Sequence, residues 1–172
     1  MSTTPPSLLL MPDVERLVID FLLGDPDVDA VFAGRIYGAV PNEKTFPLAR
    51  VVRWGGEMLD GGEPYWADAP ALQVDVWAAR KAEAMTGAEL IRAALGQRLA
   101  GRHPTGVVAG IDLGTLVYDP DNSFSPAKPR ARLDVDLVTR PPAAPVALDR
   151  ARGAPRVMQH RPDAPVEKAS PR

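Results

Sequence analysis

Residues Ala71 to Ala100 constrain the fold more than any other stretch of the chain. They read ALQVDVWAA and then RKAEAMTGAELIRAALGQRLA, an alternating segment that passes at once into one of helical period. Leu72, Val74, Val76 and Ala78 alternate with Gln73, Asp75 and Trp77, the period of two expected of a strand with one buried face. Ala84, Ala88, Ile91, Leu95 and Leu99 then recur at spacings of four, three, four and four, the stripe of an amphipathic helix. With so short a joint the helix must fold back and cover the sheet to which the strand belongs.

The flanking residues supply the rest of that sheet. Val14, Leu17, Val18, Phe21 and Leu22 trace the apolar face of a first helix, opened by Pro12 and Asp13 and ended by Gly24 and Pro26. Asp25 caps a short second helical turn that reaches Phe32, and Gly34 closes it. Arg35 to Pro41 is a short strand or an extended segment, and Pro41 to Pro47 is a loop. Leu48 to Met58 is a strand, in which Leu48, Val52 and Trp54 alternate with Arg53 until Gly55 and Gly56 break or bulge it. Leu59 to Pro70 reads as an exposed connection between antiparallel strands. Beyond the long helix, Gly101 to Gly106 is a turn and Val107 to Tyr118 a strand with Val107, Ala109, Ile111, Leu113 and Val117 on one side. Asp119 to Pro129 is a polar hairpin loop. Ala131 to Arg140 is the last strand, with Leu133, Val135 and Leu137 inward and Arg132, Asp134, Asp136 and Arg140 outward.

The expected fold is therefore α+β: a mainly antiparallel sheet of about four to five strands, with two main helices packed on one face. It occupies residues 12–140, between a flexible arm at 1–11 and an extended Pro/Arg-rich tail at 141–172. The tail has seven prolines and little apolar periodicity, so it cannot bury enough surface alone to offset its ordering entropy. It carries six Lys and Arg against three Asp and Glu, whereas the remainder carries 14 against 19. An acidic body with a basic tail suggests that the two face different surroundings, and it argues against a nucleic-acid-binding body.

No reaction chemistry emerges from the residue pattern. The chain has no cysteine, which removes disulfides and thiolate metal sites and fits a reducing compartment. Its two histidines, His103 and His160, have no second histidine at ligand spacing, so no metal site is expected. Asp119 and Asp121 in DPDNS lack the glycine and distal glutamate of a calcium loop and read as a turn. Gly55–Gly56 and Gly61–Gly62 precede no helix and cannot cradle a phosphate. Asp75, Asp134 and Asp136 sit where a half-solvated sheet places its charges. No catalytic or cofactor-binding residue is assigned. The opening residues lack a basic n-region, and no segment approaches the ~20 apolar residues of a membrane span, so a soluble chain without an export signal or membrane partner is expected.

The aromatic residues are more informative. Trp77 shares its strand face with Gln73 and Asp75, away from the apolar set. It reads either as an outward anchor for a neighbouring subunit or as a ring covered by a local loop or by the tail. Tyr65 and Trp66 form a pair in a connection, a place where exposed aromatics usually have something to cover them.

Three stretches, taken in order, resemble the tail terminator (tail completion) proteins of long-tailed bacteriophages. An initial helix leads to Arg35, Ile36, Tyr37 and Pro41 in GRIYGAVP. A strand opens at Pro47 in FPLARVVRWGGE. Leu72, Gln73, Val74, Asp75, Val76, Trp77 and Ala78 then stand directly before an Ala/Glu-rich helix. The likeness runs from about Met11 to Ala100, and the long tail after Arg140 departs from it. The resemblance implies a virion protein without catalytic residues, assembled in the host cytoplasm and placed at the tail–neck junction. It implies a ring, of six subunits, that caps the tail tube, ends its polymerisation and joins the tail to the head or neck. Its partners would be other copies of itself, the tail tube protein and a neck or head-completion protein, with genomic DNA passing through the lumen without specific binding.

On that reading Gln73, Asp75, Trp77, Tyr65, Trp66, Arg150, Arg152 and Arg156 are the candidate interface residues. Glu57, Asp60 and Glu63 are the candidate lumen residues, because carboxylates let DNA slide where Lys and Arg would hold its phosphates. The alternatives are another neck or tube component (a head-closure protein) and a small soluble binding protein or enzyme that uses the Asp-rich sheet face.

Overall fold

The computed structural model describes residues 10–60 and 66–142, with the side chains of Asp60 and Trp66 outside the description. Helices α1 (Val14–Gly24) and α2 (Pro26–Phe32) come first, followed by strands β1 (Ile36–Tyr37), β2 (Leu48–Asp60) and β3 (Trp66–Trp77). Helix α3 (Lys81–Arg98) follows, and β4 (Gly101–His103), β5 (Gly106–Tyr118) and β6 (Arg130–Arg140) complete the order. The strands form one sheet in the order β1-β2-β3-β6-β5-β4. Among the described residues only the β1–β2 pair is parallel. α3 carries the chain from β3 to the far side of the sheet, and β6 returns to fill the gap between β3 and β5.

Each helix starts and stops for local reasons. The Asp13 carboxylate accepts from the Arg16 N–H at 3.1 Å and caps α1. Asp25 accepts from the N–H groups of Asp27 and Val28, and Pro26 occupies the first turn of α2, where no donor is needed. Ala33, at φ 45°, ends α2 in the left-handed region, one residue before Gly34. Arg80 and Glu83 bridge the start of α3. At its other end Arg98 reaches Asp25 at 2.9 Å and Asp27 at 2.8 Å, joining the last turn of α3 to the first of α2.

The core lies between the sheet and these helices. All five members of the α3 stripe, Ala84, Ala88, Ile91, Leu95 and Leu99, are buried against Leu72, Val74 and Val76 of β3 and Leu133, Val135 and Leu137 of β6. Val14, Leu17, Val18 and Leu22 of α1 close the β1–β2 side, next to Ala49 and Val51. Truncating Ile91 or Leu95 to Ala would leave a cavity at the centre of this layer, at a cost of about 2–5 kcal/mol. Gly87 permits the close approach of α3, since a Cβ there would lie 3.1 Å from Phe32 Cζ and 3.3 Å from Val76 Cγ1.

The structure corrects the expected sheet in four places. Among the described residues it has six strands and is mixed, because the short β1 adds a parallel edge and β4 forms where a turn was expected. The connection expected over Leu59 to Pro70 is mostly strand, with β2 running to Asp60 and β3 starting at Trp66. In β2 it is Ala49 and Val51, not Leu48 and Val52, that enter the main core. In β5 the register shifts between Val108 and Gly110 and again between Leu113 and Leu116. Val108 is therefore buried and Ala109 exposed, while Ile111, Leu113 and Leu116 still pack on the core. A bulge resets the period of two, which strict alternation cannot anticipate.

Candidate assembly surface

With the helices on one side, the opposite face of the sheet is built by Leu48, Arg50 and Val52 of β2, Gln73, Asp75 and Trp77 of β3, Arg130, Arg132, Asp134 and Asp136 of β6, and Asp112 and Val117 of β5. It divides into two halves along the strands.

The half nearest Trp77 is a closed polar network. Asp75 is fully buried, bonded to Arg50 Nη2 at 2.5 Å, with Arg132 Nε at 3.7 Å and Arg130 Nε at 4.0 Å. Gln73 Nε2 donates to both Asp75 oxygens, at 2.9 and 3.0 Å, and its Oε1 accepts from Arg132 Nη2 at 2.6 Å. Arg130 and Arg132 also hold Asp119, at 2.5 and 2.9 Å, which pins the root of the 119–129 loop to the sheet. The Trp77 ring has the guanidinium carbons of Arg50 and Arg130 at 5.6 and 5.9 Å from its centroid, a cation–π arrangement. Its Nε1 donates to Asp121 Oδ2 at 2.9 Å. Further out, Phe46 of the 41–47 loop meets Phe124 edge-on at 6.4 Å, with Lys128 over Phe46 and Lys44 over Phe124.

These contacts set the titration of the loop acids. The Asp119 carboxyl is held below its ordinary range by its hydrogen bond from Arg132, against some burial, with help from Arg130. For Asp121 burial acts in the opposite direction. The hydrogen bonds from Ser123 and Trp77, and the charge of Arg130, outweigh it and lower the value. The Asx-type bond from Ser123 N to Asp121 Oδ1 at 3.0 Å makes this stretch the turn its sequence suggests.

The other half of the face is open and acidic. Asp112, Asp134 and Asp136 are exposed, and Asp112 pairs directly with Asp136 across β5 and β6. Glu57 is exposed on the same half of β2. Carboxylates set opposite one another repel, so this surface suits solvent or a partner rather than a dry contact. Among the described residues no three His, Cys, Asp or Glu side chains converge as a metal site. A cavity of about 450 Å³ lies on the helix layer, between Val31, Pro47, Glu83, Thr86 and Leu90; it is mainly apolar, and its one carboxylate, Glu83, is paired with Arg80.

The expected site residues are therefore distributed unevenly. Gln73, Asp75 and Trp77 do lie on the face away from the helices, but Trp77 is 3% exposed and Asp75 0%. For Asp75 and Trp77 the expected outward role is corrected, since the 119–129 loop and three arginines cover them, the local-cover reading of Trp77, whereas Gln73 is half-buried. Of the aspartates that the enzyme alternative invoked, Asp75 is held among guanidinium groups and Asp134 stands on an open strand. Glu57 is exposed on β2. Asp60 ends β2 and Trp66 begins β3, with side chains outside the described residues, while Glu63, Tyr65, Arg150, Arg152 and Arg156 lie outside them altogether. Sequence reasoning missed Arg50, Arg130 and Asp121 as parts of one network. Arg50 was legible from alternation on β2, but its approach to Asp75 depends on strand order.

The family model described as tail completion protein gp17 matches residues 16–140 of the chain. Among solved structures, a chain from the virion of a native gene transfer agent (GTA) particle superposes with a TM-score of 0.51 at 15% identity, covering 73% of this chain and 93% of that one. At that identity the likeness speaks to the fold. No curated protein matches the sequence.

Proposed function

Because the chain belongs to the tail completion protein gp17 family, and is thereby a structural component of a phage-type virion tail, we propose that it forms a ring, of six copies, at the head-proximal end of the tail. The ring caps the tube, ends its polymerisation and provides the surface that the neck or head-completion protein joins. The observation that carries this reading is the difference between the two faces of the sheet. One is sealed by three helices, and the other presents Glu57, Asp112, Asp134 and Asp136 with no element over them among the described residues.

A ring with helices outside and this face inside has a lumen rich in carboxylate. DNA passing through it meets carboxylates, while the arginines of the same face, Arg50, Arg130 and Arg132, are already engaged by Asp75 and Asp119, so it slides. Glu63, which follows β2 in the sequence, would extend the same lining. The Arg-containing tail, with Arg150, Arg152 and Arg156, runs from the end of β6 onto an adjacent subunit, the tube or the neck. Tyr65 and Trp66 contact the tube or a neighbouring subunit.

The test is direct. Purified chain viewed by negative stain gives rings of about six subunits, as closed heterologous contacts require, and those rings bind the end of tail tubes. Particles made without the protein carry tubes of uncontrolled length that fail to join heads. A strict monomer, or tubes of normal length in its absence, overturns the proposal.

A further inference from the structure

Both long edges of the sheet are open over most of their length, and they are blocked at opposite ends. β1 covers β2 only at Ala49 and Arg50, leaving Val51 to Asp60 with no strand alongside among the described residues; within that stretch the Arg53 N–H donates to the Glu15 carboxylate at 2.6 Å, a side-chain contact that the neighbouring strand would replace. β4 covers β5 only at Gly106 to Val108, leaving Gly110 to Tyr118 with no strand alongside among the described residues. Followed across the sheet, the pairing sets Tyr118 level with Ala49, through Ala131 and Val76. It likewise sets Val108 level with Met58, through Thr139 and Asp68. β1 therefore blocks one end of the β2 edge, and β4 blocks the other end of the β5 edge.

An open edge is a row of unpaired donors and acceptors that isolated proteins usually blunt. Here β2 also exposes Trp54 (65%), Met58 (62%) and Leu59 (37%), and β5 exposes Val117 (43%). Apolar side chains beside an uncovered edge mark a site for strand addition.

We propose that the β2 edge of one copy pairs antiparallel with the β5 edge of the next, so that the sheet continues from subunit to subunit. The proposal rests on the ring reading above and names its seam. The occupant is a second copy because the two edges fit each other. β2 and β5 already run in opposite directions, being separated by β3 and β6 in a series of antiparallel pairs. Copies placed level would drive β1 into the neighbour's Val117 and Tyr118, and the neighbour's β4 into Met58 and Leu59. A slide of two residues, the length of β1, clears β1 and carries Met58 and Leu59 past the neighbour's β4, leaving Asp60, the last residue of β2, level with that strand. Closing a sheet into a barrel needs such a stagger. An even slide also keeps every side chain on its own face. In this register Val117 stands beside Val52 and Ile111 beside Met58, while Glu57 comes near Asp112, so the seam should tighten as salt screens that repulsion.

The absence of native cysteine allows a clean test on the full chain. Val52→Cys and Val117→Cys in one chain should be joined between subunits by a short bis-maleimide, giving a ladder of covalent multimers up to the closed ring. Within one chain the two positions are three strand spacings apart, roughly 14 Å, beyond a short linker. Each single variant should stay monomeric on a denaturing gel. Met58→Cys with Ile111→Cys repeats the test on the helix-side face, should the first pair impair folding. Rings by native mass spectrometry with no ladder from either pair overturn the seam and leave the ring. Open filaments that give the ladder support the seam and overturn ring closure. A chain that remains monomeric overturns both.

Discussion

The indole nitrogen of Trp77 donates to the carboxylate of Asp121, 44 residues later in the chain, at 2.9 Å. This bond joins the end of β3 to the far side of the β5–β6 loop and completes a cover that hides the tryptophan. Trp77 and Asp75 thus support the surface around them: they hold the loop that any neighbouring protein on this face would meet.

Replacing Trp77 with Phe keeps a ring between Arg50 and Arg130 and removes the hydrogen bond. Asp121 retains Ser123, so the expected loss is about 1 kcal/mol, the usual net worth of one such bond. It should appear as a lower urea midpoint with an unchanged slope, together with faster amide exchange confined to the 119–129 loop. No change in either would mean that the loop is held by Asp119 alone.

Asp75 should be much less replaceable. Asp75→Ala removes the carboxylate shared by Arg50, Arg130 and Arg132, whose side chains are only partly exposed. Breaking a buried ion pair on one side costs about 3–5 kcal/mol, and the partial exposure of the arginines places this one near 3. Arg50 begins at a disadvantage, because its buried Nε has no hydrogen-bond partner. The pair Asp75→Leu with Arg50→Leu should recover part of the loss, because two matched apolar groups leave no stranded charge between them. Equal melting temperatures for the single and double variants would refute this account.

The acid limb of stability should come from the same loop. Asp119 and Asp121 have folded-state pKa values below the ordinary aspartate value of about 3.9. Their contribution is fully present above that value and is lost as pH falls through the lowered folded-state values. Stability due to them should be flat from pH 7 to about pH 5 and decline only in stronger acid. The indole N–H resonance of Trp77 should move over the same strongly acidic range. Asp119→Asn with Asp121→Asn should flatten that limb, and an undiminished acid limb would assign it to other carboxylates.

How much of this was legible beforehand can be read from particular residues. The α3 stripe and the inward set of β6 followed from periodicity, because burial of one face repeats with the geometry of the element. Gly55–Gly56 was recognisable as a bulge, and the structure gives the reason. Gly56 lies at φ 110°, and a Cβ there would collide with the Ala69 carbonyl oxygen and come within 2.6 Å of Pro70 Cα. The phase of β5 was not legible, since its two register shifts depend on β6 rather than on its own residues. Nor was the burial of Trp77. Alternation places a residue on a face, but what covers that face is decided by contacts between segments distant in sequence, here Arg50, Arg130 and Asp121. The acidic half-face was visible as outward aspartates, and only strand order brought Asp112 opposite Asp136.

That half-face makes the last prediction. If Glu57, Asp112, Asp134 and Asp136 line a passage for DNA, their sign should matter more than their identity. Wild-type chain should show no measurable affinity for a labelled duplex at physiological salt, by fluorescence anisotropy. Asp112→Lys, Asp134→Lys and Asp136→Lys in one chain should bind the duplex, and the affinity should fall steeply with added salt, because each phosphate contact releases counterions. The substituted positions are exposed, so folding should be little changed, and a thermal melt checks this. The three lysines should also slow passage of DNA through assembled particles, whereas Asn at the same positions should not. If the lysine variant fails to bind duplex while still forming rings, these residues face away from the lumen, and the helix-covered side of the sheet must be turned inward instead.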